Sequence, residues 1–131
     1  MNTPRLDLSS FKKAVASLDA ALSRDKDEFI RDSVIQRFEY TYELSWKFLA
    51  RQLEIDVGSE AVDRLSRRDL YRLGVEKGFL RDASAWFEYH TARNTTSHSY
   101  NIAVAESVYD VAKRFIVDAR DLLSKLAAIY G

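Results

Sequence analysis

The chain has no cysteine, one proline (Pro4) and four glycines among its 131 residues. Without cysteine there are no disulfides, no thiolate chemistry and no cysteine-based zinc site, which agrees with a reducing compartment. So few breakers leave long stretches free to run as uninterrupted helix, and no alternating strand pattern competes with that reading. No apolar run approaches the roughly 18 residues that a bilayer span needs, and the N-terminus carries no apolar signal core. A soluble, cytoplasmic protein with no membrane association is the expectation. Net charge is missing as well: 20 basic residues face 20 acidic ones, which argues against a nonspecific nucleic-acid coat. There is no glycine-rich phosphate loop and no GKS or GKT run. The two histidines have no carboxylate at ligand spacing, so neither a metal nor a cofactor is expected.

What is present is a globular composition, 47% hydrophobic and 31% charged, in one domain spanning residues 1–131. Apolar positions recur every three or four residues. Phe11, Val15, Leu18 and Leu22 mark a first helix over Leu6 to Ser23, capped by Ser9 or Ser10, and Arg24 to Glu28 form a charged connection. Ile30, Val34, Phe38, Tyr42, Trp46, Leu49 and Leu53 stripe a second helix from Glu28 to about Glu54, and Val57, Gly58 and Ser59 lie in the break after it. Ser66 caps a short helix over Arg67 to Lys77, with Leu70, Leu73 and Val75 as its apolar positions and Gly78 as its stop. Asp82 caps the next, Ala83 to about Thr96. The last begins at Asn101 and carries a stripe of Val104, Val108, Val111 or Ala112, Phe115, Ala119, Leu122, Leu126 and Ile129. Long helices joined by short loops predict an all-α, antiparallel up-and-down bundle of four main helices plus the short one. Phe38, Trp46, Trp86 and Phe115 read as core.

One segment departs from this regularity. In Ala92 to Asn101, ARNTTSHSYN, a fixed cation, a group that titrates near neutrality and a phenol fall within eight residues: Arg93, His98 and Tyr100. Positions five apart on an unbroken helix point about 140° away from each other, so Arg93 and His98 share a site only if the helix ends between them. Asn94, Thr95, Thr96 and Ser97 favour that ending, because short polar side chains compete for backbone hydrogen bonds. Arg93 can then hold a phosphate in a bidentate fork, His98 can exchange a proton, and Tyr100 can donate to phosphate, stack on a base or accept a modification. RNA suits such a pair, since its 2′-hydroxyl attacks the adjacent phosphorus without a metal. On the second helix, Glu39 and Glu43 lie on one face, flanked by Arg37 and Lys47. They are either a solvated face, or one of them reaches the loop, orienting Arg93 or raising the pKa of His98. His90 reads as a helix-surface or interface residue. Between Arg64 and Arg81 six basic residues stand against two acidic ones, a local basic patch within a neutral total that is either a solvated helix surface or a binding face.

Val34 to Lys47 (VIQRFEYTYELSWK), Ser66 to Gly78 (SRRDLYRLGVEKG) and Ala85 to Tyr100, ending in RN-x3-H-x-Y, together resemble the HEPN superfamily. These are the small helical domains of higher eukaryotic and prokaryotic nucleotide binding. More narrowly the chain resembles the branch of nucleotidyltransferase substrate-binding proteins, partners of minimal nucleotidyltransferases. The resemblance implies a helical bundle that forms a homodimer and serves as the toxin of a toxin–antitoxin pair, a metal-independent endoribonuclease. Carried over, Arg93 binds the scissile phosphate and His98 transfers the proton. Tyr100 is the hydroxyl that the partner adenylylates, and Asn94 positions the loop. The older family label implies a different role, a noncatalytic subunit that holds a substrate for the partner. Either role needs that partner, because this chain lacks the Gly-Ser and paired-Asp motifs that hold nucleotide and magnesium.

Overall fold

In the computed structural model, which describes residues 5–130, six α-helices and one 3-10 turn account for the regular structure, and no strand occurs among the described residues. The helices are α1 (Ser9–Leu22), α2 (Glu28–Val57), α3 (Ser59–Asp63), α4 (Arg67–Glu76), α5 (Ala83–Thr95) and α6 (Ile102–Tyr130), with the turn at Thr96–His98 between the last two. Pro4 lies outside the described residues.

Contacts between helix ends set the directions. The start of α2 meets the start of α6, where Arg31 pairs with Glu106 at 3.4 Å, and the end of α2 meets the end of α6 through Gln52 and Tyr130. Those two rods therefore run parallel. α1 runs against both: Phe11 near its start stacks on Phe48 late in α2 at 5.8 Å, and Arg120 of α6 pairs with Asp19. α5 opposes α6: Arg81, just before its start, pairs with Asp118 at 2.7 Å, and Glu88, further along it, faces Arg114 at 3.7 Å. Up, down, up, down is the order of α1, α2, α5 and α6, with α3 and α4 inserted between the second and third. Phe115 sits at the centre, edge-on to Phe38 at 5.2 Å, Trp86 at 5.8 Å and Tyr89 at 5.2 Å, the favoured geometry for rings whose faces are negative and edges positive.

Several local features differ from the sequence expectation. Neither Ser9 nor Ser10 caps α1: the N-cap position is Leu8, which offers no side-chain cap, and Asp7 just before it accepts from the Ser9 amide at 3.0 Å. Hydrogen bonds from the Ser9 hydroxyl and then its amide hold the Asp7 carboxyl below its ordinary value. α2 starts from an Asp27 cap, inside the stretch read as a mere connection, and runs to Val57, because nothing stops it before Gly58 turns the backbone to φ 95°. A short α3 follows, burying Val62. Ser66 caps α4 and accepts from the Asp69 amide at 3.2 Å. The buried positions of α4 are Leu70, Tyr71 and Gly74, whereas Leu73 and Val75 are half-buried. Beyond α4, the amides of Phe79 and Leu80 both bond the Gly74 carbonyl at 2.8 and 3.2 Å, folding two further apolar residues into the core. Trp46 is half-buried at the bundle edge, and Ile129, at 49% exposed, lies outside the core. Asn101 caps α6, its side-chain oxygen accepting from the amides of Ala103 at 2.9 Å and Val104 at 3.4 Å.

Candidate functional site

Asp82 starts α5 by accepting from the Ser84 amide at 3.0 Å, and the helix then buries Trp86, Tyr89 and Ala92. That places His90 and Arg93 on the flank facing α2. The helix ends because two threonine hydroxyls fold back on it: Thr95 donates to the Ala92 carbonyl at 2.7 Å and Thr96 to the Arg93 carbonyl at 2.8 Å. One 3-10 turn follows, with Thr96 buried beneath it, and the chain emerges at His98.

Arg93 is half-buried and held from three sides. Nε lies 3.1 Å from Glu43 Oε1, Nη2 lies 3.4 Å from Glu39 Oε1, and Nη1 donates to Thr96 Oγ1 at 3.3 Å. The Nε–H is not aligned on Glu43, so that contact is an ion pair rather than a hydrogen bond, and Nε has no hydrogen-bond partner. Of the alternatives open for Glu39 and Glu43, contact with the arginine is the one formed. Glu43 is fixed in turn by the indole of Trp46, which donates to its Oε2 at 3.1 Å.

His98 and Tyr100 are exposed, Tyr100 at 82%, and the Nδ1 of His98 lies 3.3 Å from the phenol oxygen. With Nδ1–H donating to that oxygen, the lone pair of Nε2 is free to take a proton. No hydrogen bond joins Arg93 to His98 among the described residues; within one copy the segment offers a fixed cation and, five residues on, an exposed imidazole–phenol pair. Asn94 is exposed at the end of α5.

A second polar cluster, not read as a unit from the sequence, lies beside Arg93. Tyr42 and Tyr71 are buried with their hydroxyls in contact; Arg67 Nη1 donates to the Tyr42 oxygen at 3.1 Å, and His90 Nδ1 lies 2.9 Å from the same oxygen. Burial raises the pKa of both phenols, so both stay protonated. Burial also lowers the pKa of His90, as do Arg67, Arg68 and Arg93 nearby, with Glu43 opposing. His90 is therefore neutral at pH 7. Its one hint in the sequence was its place three residues before Arg93 on the same helix. No group of three potential metal ligands occurs among the described residues.

Residues 6–128 match the family described as nucleotidyltransferase substrate binding protein like. A protein of Haemophilus influenzae named probable ribonuclease HepT is 30% identical, the match covering 96% of this chain and 95% of that protein. Among solved structures, a Haemophilus influenzae protein described as showing the fold of a substrate binding domain of a nucleotidyltransferase superposes with a TM-score of 0.84. It is 28% identical and covers 92% of this chain and 99% of its own. A Thermus thermophilus protein superposes with a TM-score of 0.77 at 31% identity, covering 88% of this chain and 98% of its own.

Proposed function

The chain belongs to the nucleotidyltransferase substrate binding protein like family, a branch of the HEPN domains, and from that premise we propose that it is the ribonuclease subunit of a two-component toxin–antitoxin pair. The observation that carries this reading is the end of α5: an arginine clamped by Glu39 and Glu43, then a single turn that presents His98 with its Nδ1 against Tyr100. In this reading Arg93 binds the scissile phosphate and His98 Nε2 takes the proton from the 2′-hydroxyl. The 2′-oxygen attacks phosphorus, the bond to the 5′-oxygen breaks, and that oxygen leaves with a proton from solvent or from His98 of a second copy. The products carry a 2′,3′-cyclic phosphate and a 5′-hydroxyl, and no metal takes part. A second copy covers the apolar surface beside the loop, where Ile102 is 69% exposed, and brings two loops into one cleft.

The minimal nucleotidyltransferase partner silences the enzyme at Tyr100. The phenol oxygen attacks the α-phosphorus of ATP, pyrophosphate leaves and the phenol proton passes to solvent. The adenylyl group then sets an anionic phosphodiester beside His98, blocking the approach of RNA and turning the oxygen to which Nδ1–H donates into an ester oxygen, a weaker acceptor.

A noncatalytic substrate-binding subunit is the competing reading, and one observation favours it: Arg93 already faces two carboxylates, so an incoming phosphate competes with Glu39 and Glu43 for it. RNA cleavage in EDTA, comparing the wild type with His98→Ala, decides between them. Cyclic-phosphate ends made only by the wild type support the ribonuclease; an equally inert pair on tRNA and mRNA supports the binding subunit.

A further inference from the structure

The six basic residues between Arg64 and Arg81 do not form a uniformly solvated face. Arg72 pairs with Asp69 at 3.0 Å and Arg81 with Asp118 at 2.7 Å, but no carboxylate among the described residues lies within ion-pair distance of Arg67 or Arg68. Both are nevertheless held in place. The Arg67 guanidinium carbon lies over the Trp46 ring, 3.6 Å from its centroid, and the group bonds the buried Tyr42 hydroxyl; the guanidinium carbon of Arg68 lies 4.6 Å from the centroid of Phe87.

The hydroxyl network gives Arg67 a defined partner. If Tyr71 donates to Tyr42, and Tyr42 to His90 Nδ1, then the Tyr42 oxygen accepts from both Tyr71 and Arg67, every proton has a place, and His90 keeps its proton on Nε2. Trp46 ties this cluster to the clamp on Arg93, since the indole under Arg67 also donates to Glu43. Three arginines thus surround the neutral His90, two of them preorganised on aromatic rings without an anion of their own. A guanidinium fixed in this way offers its remaining donors at little entropic cost, and its planar fork suits phosphate oxygens.

We propose that Arg67 and Arg68, together with the Nε2–H of His90, form a subsite for the phosphates that adjoin, on the same RNA strand, the one cleaved at Arg93 and His98. The identity of the ligand as RNA rests on the ribonuclease reading; the geometry of the subsite does not. The strand leaves the cleavage loop across the α5 flank and lays successive phosphates against α4, so chain length rather than base sequence governs the gain in affinity.

The test is the binding of a fluorescein-labelled RNA dodecamer to full-length His98→Ala protein over a range of salt, alongside cleavage of the same RNA by His98-intact protein in EDTA. Arg67→Gln and Arg68→Gln, each made on the His98→Ala background, should weaken dodecamer binding about three- to tenfold and reduce the slope of log affinity against log salt by about 0.7 each, while Arg120→Gln on the far face changes neither. Arg67→Gln removes a donor from a half-buried network; if it lowers the melting temperature by more than a few degrees, Arg68→Gln alone decides. If wild type cleaves but both variants bind with unchanged slope, the subsite is wrong and the ribonuclease stands. Binding that depends on both arginines without cleavage keeps the subsite and removes the ribonuclease. Failure to bind or cleave the dodecamer overturns both.

Discussion

Glu43 holds Arg93 through charge alone: one carboxylate oxygen lies 3.1 Å from Nε without an aligned hydrogen bond, while the other accepts from the Trp46 indole. The arginine is thus aimed by a carboxylate that is itself anchored, a longer-range hold than a fork-to-fork pair. Glu43→Gln keeps the shape and the indole contact and removes the charge. RNA cleavage in EDTA should fall about tenfold through misplacement of Arg93, and the melting temperature should move by no more than about two degrees, since a half-exposed pair adds little stability.

His90 gives the fold a pH dependence near neutrality. Its pKa in the folded protein lies below the ordinary 6.5, because burial and the cations Arg67, Arg68 and Arg93 outweigh Glu43, so the unfolded chain binds the proton more readily. Its contribution to stability is complete above about pH 6.5 and is lost as the pH falls through the folded value. The lowered carboxyls Asp7, Asp82 and Glu106 lose theirs only at more acid pH, below ordinary values of 3.8, 3.8 and 4.5. Thermal melts between about pH 7.5 and 5.5 should decline for the wild type, and the decline should be shallower for His90→Gln.

Gly74→Ala should destabilise the protein in spite of the better helix propensity of alanine. The new methyl carbon would meet Leu80 Cδ1 at 3.0 Å and Leu49 Cδ2 at 3.2 Å, and both leucines are buried. Overpacking at about 1 to 3 kcal/mol exceeds a propensity gain of about 1 kcal/mol. Urea denaturation should show a midpoint below that of the wild type. An unchanged or higher midpoint would mean that the leucines give way freely.

Phe115→Ala removes the ring on which α2, α5 and α6 converge. The expected loss is about 3 to 5 kcal/mol, a large share of the stability of a domain this size, so the variant should melt far below the wild type or fail to fold. Phe115→Leu should cost clearly less, which the same melting experiment would reveal.

The main architecture was readable because periodicity and caps agreed: Asp82, Ser66 and Asn101 start helices in the fold as they do in the sequence. What escaped reading depends on contacts distant in sequence. Tyr71 and Gly74 are buried because α5 and Leu80 pack over them, and no local pattern on α4 distinguishes them from Leu73 and Val75. Trp46 looked like core from its register in the stripe of α2, but it is half-buried, and there it supports an arginine of α4. At the loop, the break after Arg93 followed from angular spacing, and the proximity of Glu39 and Glu43 was one of the readings their shared face left open. The Tyr42–Tyr71–His90–Arg67 network was invisible, because its members come from three helices and each reads locally as an ordinary position.

At one end of the bundle Arg5 donates to the carbonyl of Tyr130 at 2.6 Å, so α1 is entered beside the point where α6 finishes. The 29 residues of α6 span roughly 43 Å, which sets His98 and Tyr100 at the opposite end. The order of helices along the chain is then separable from their arrangement in space. A circular permutant joined by a short linker between residues 5 and 130 and opened at the exposed Gly58 keeps α5, the turn and α6 contiguous, and so carries the whole Arg93–Tyr100 segment on an intact bundle.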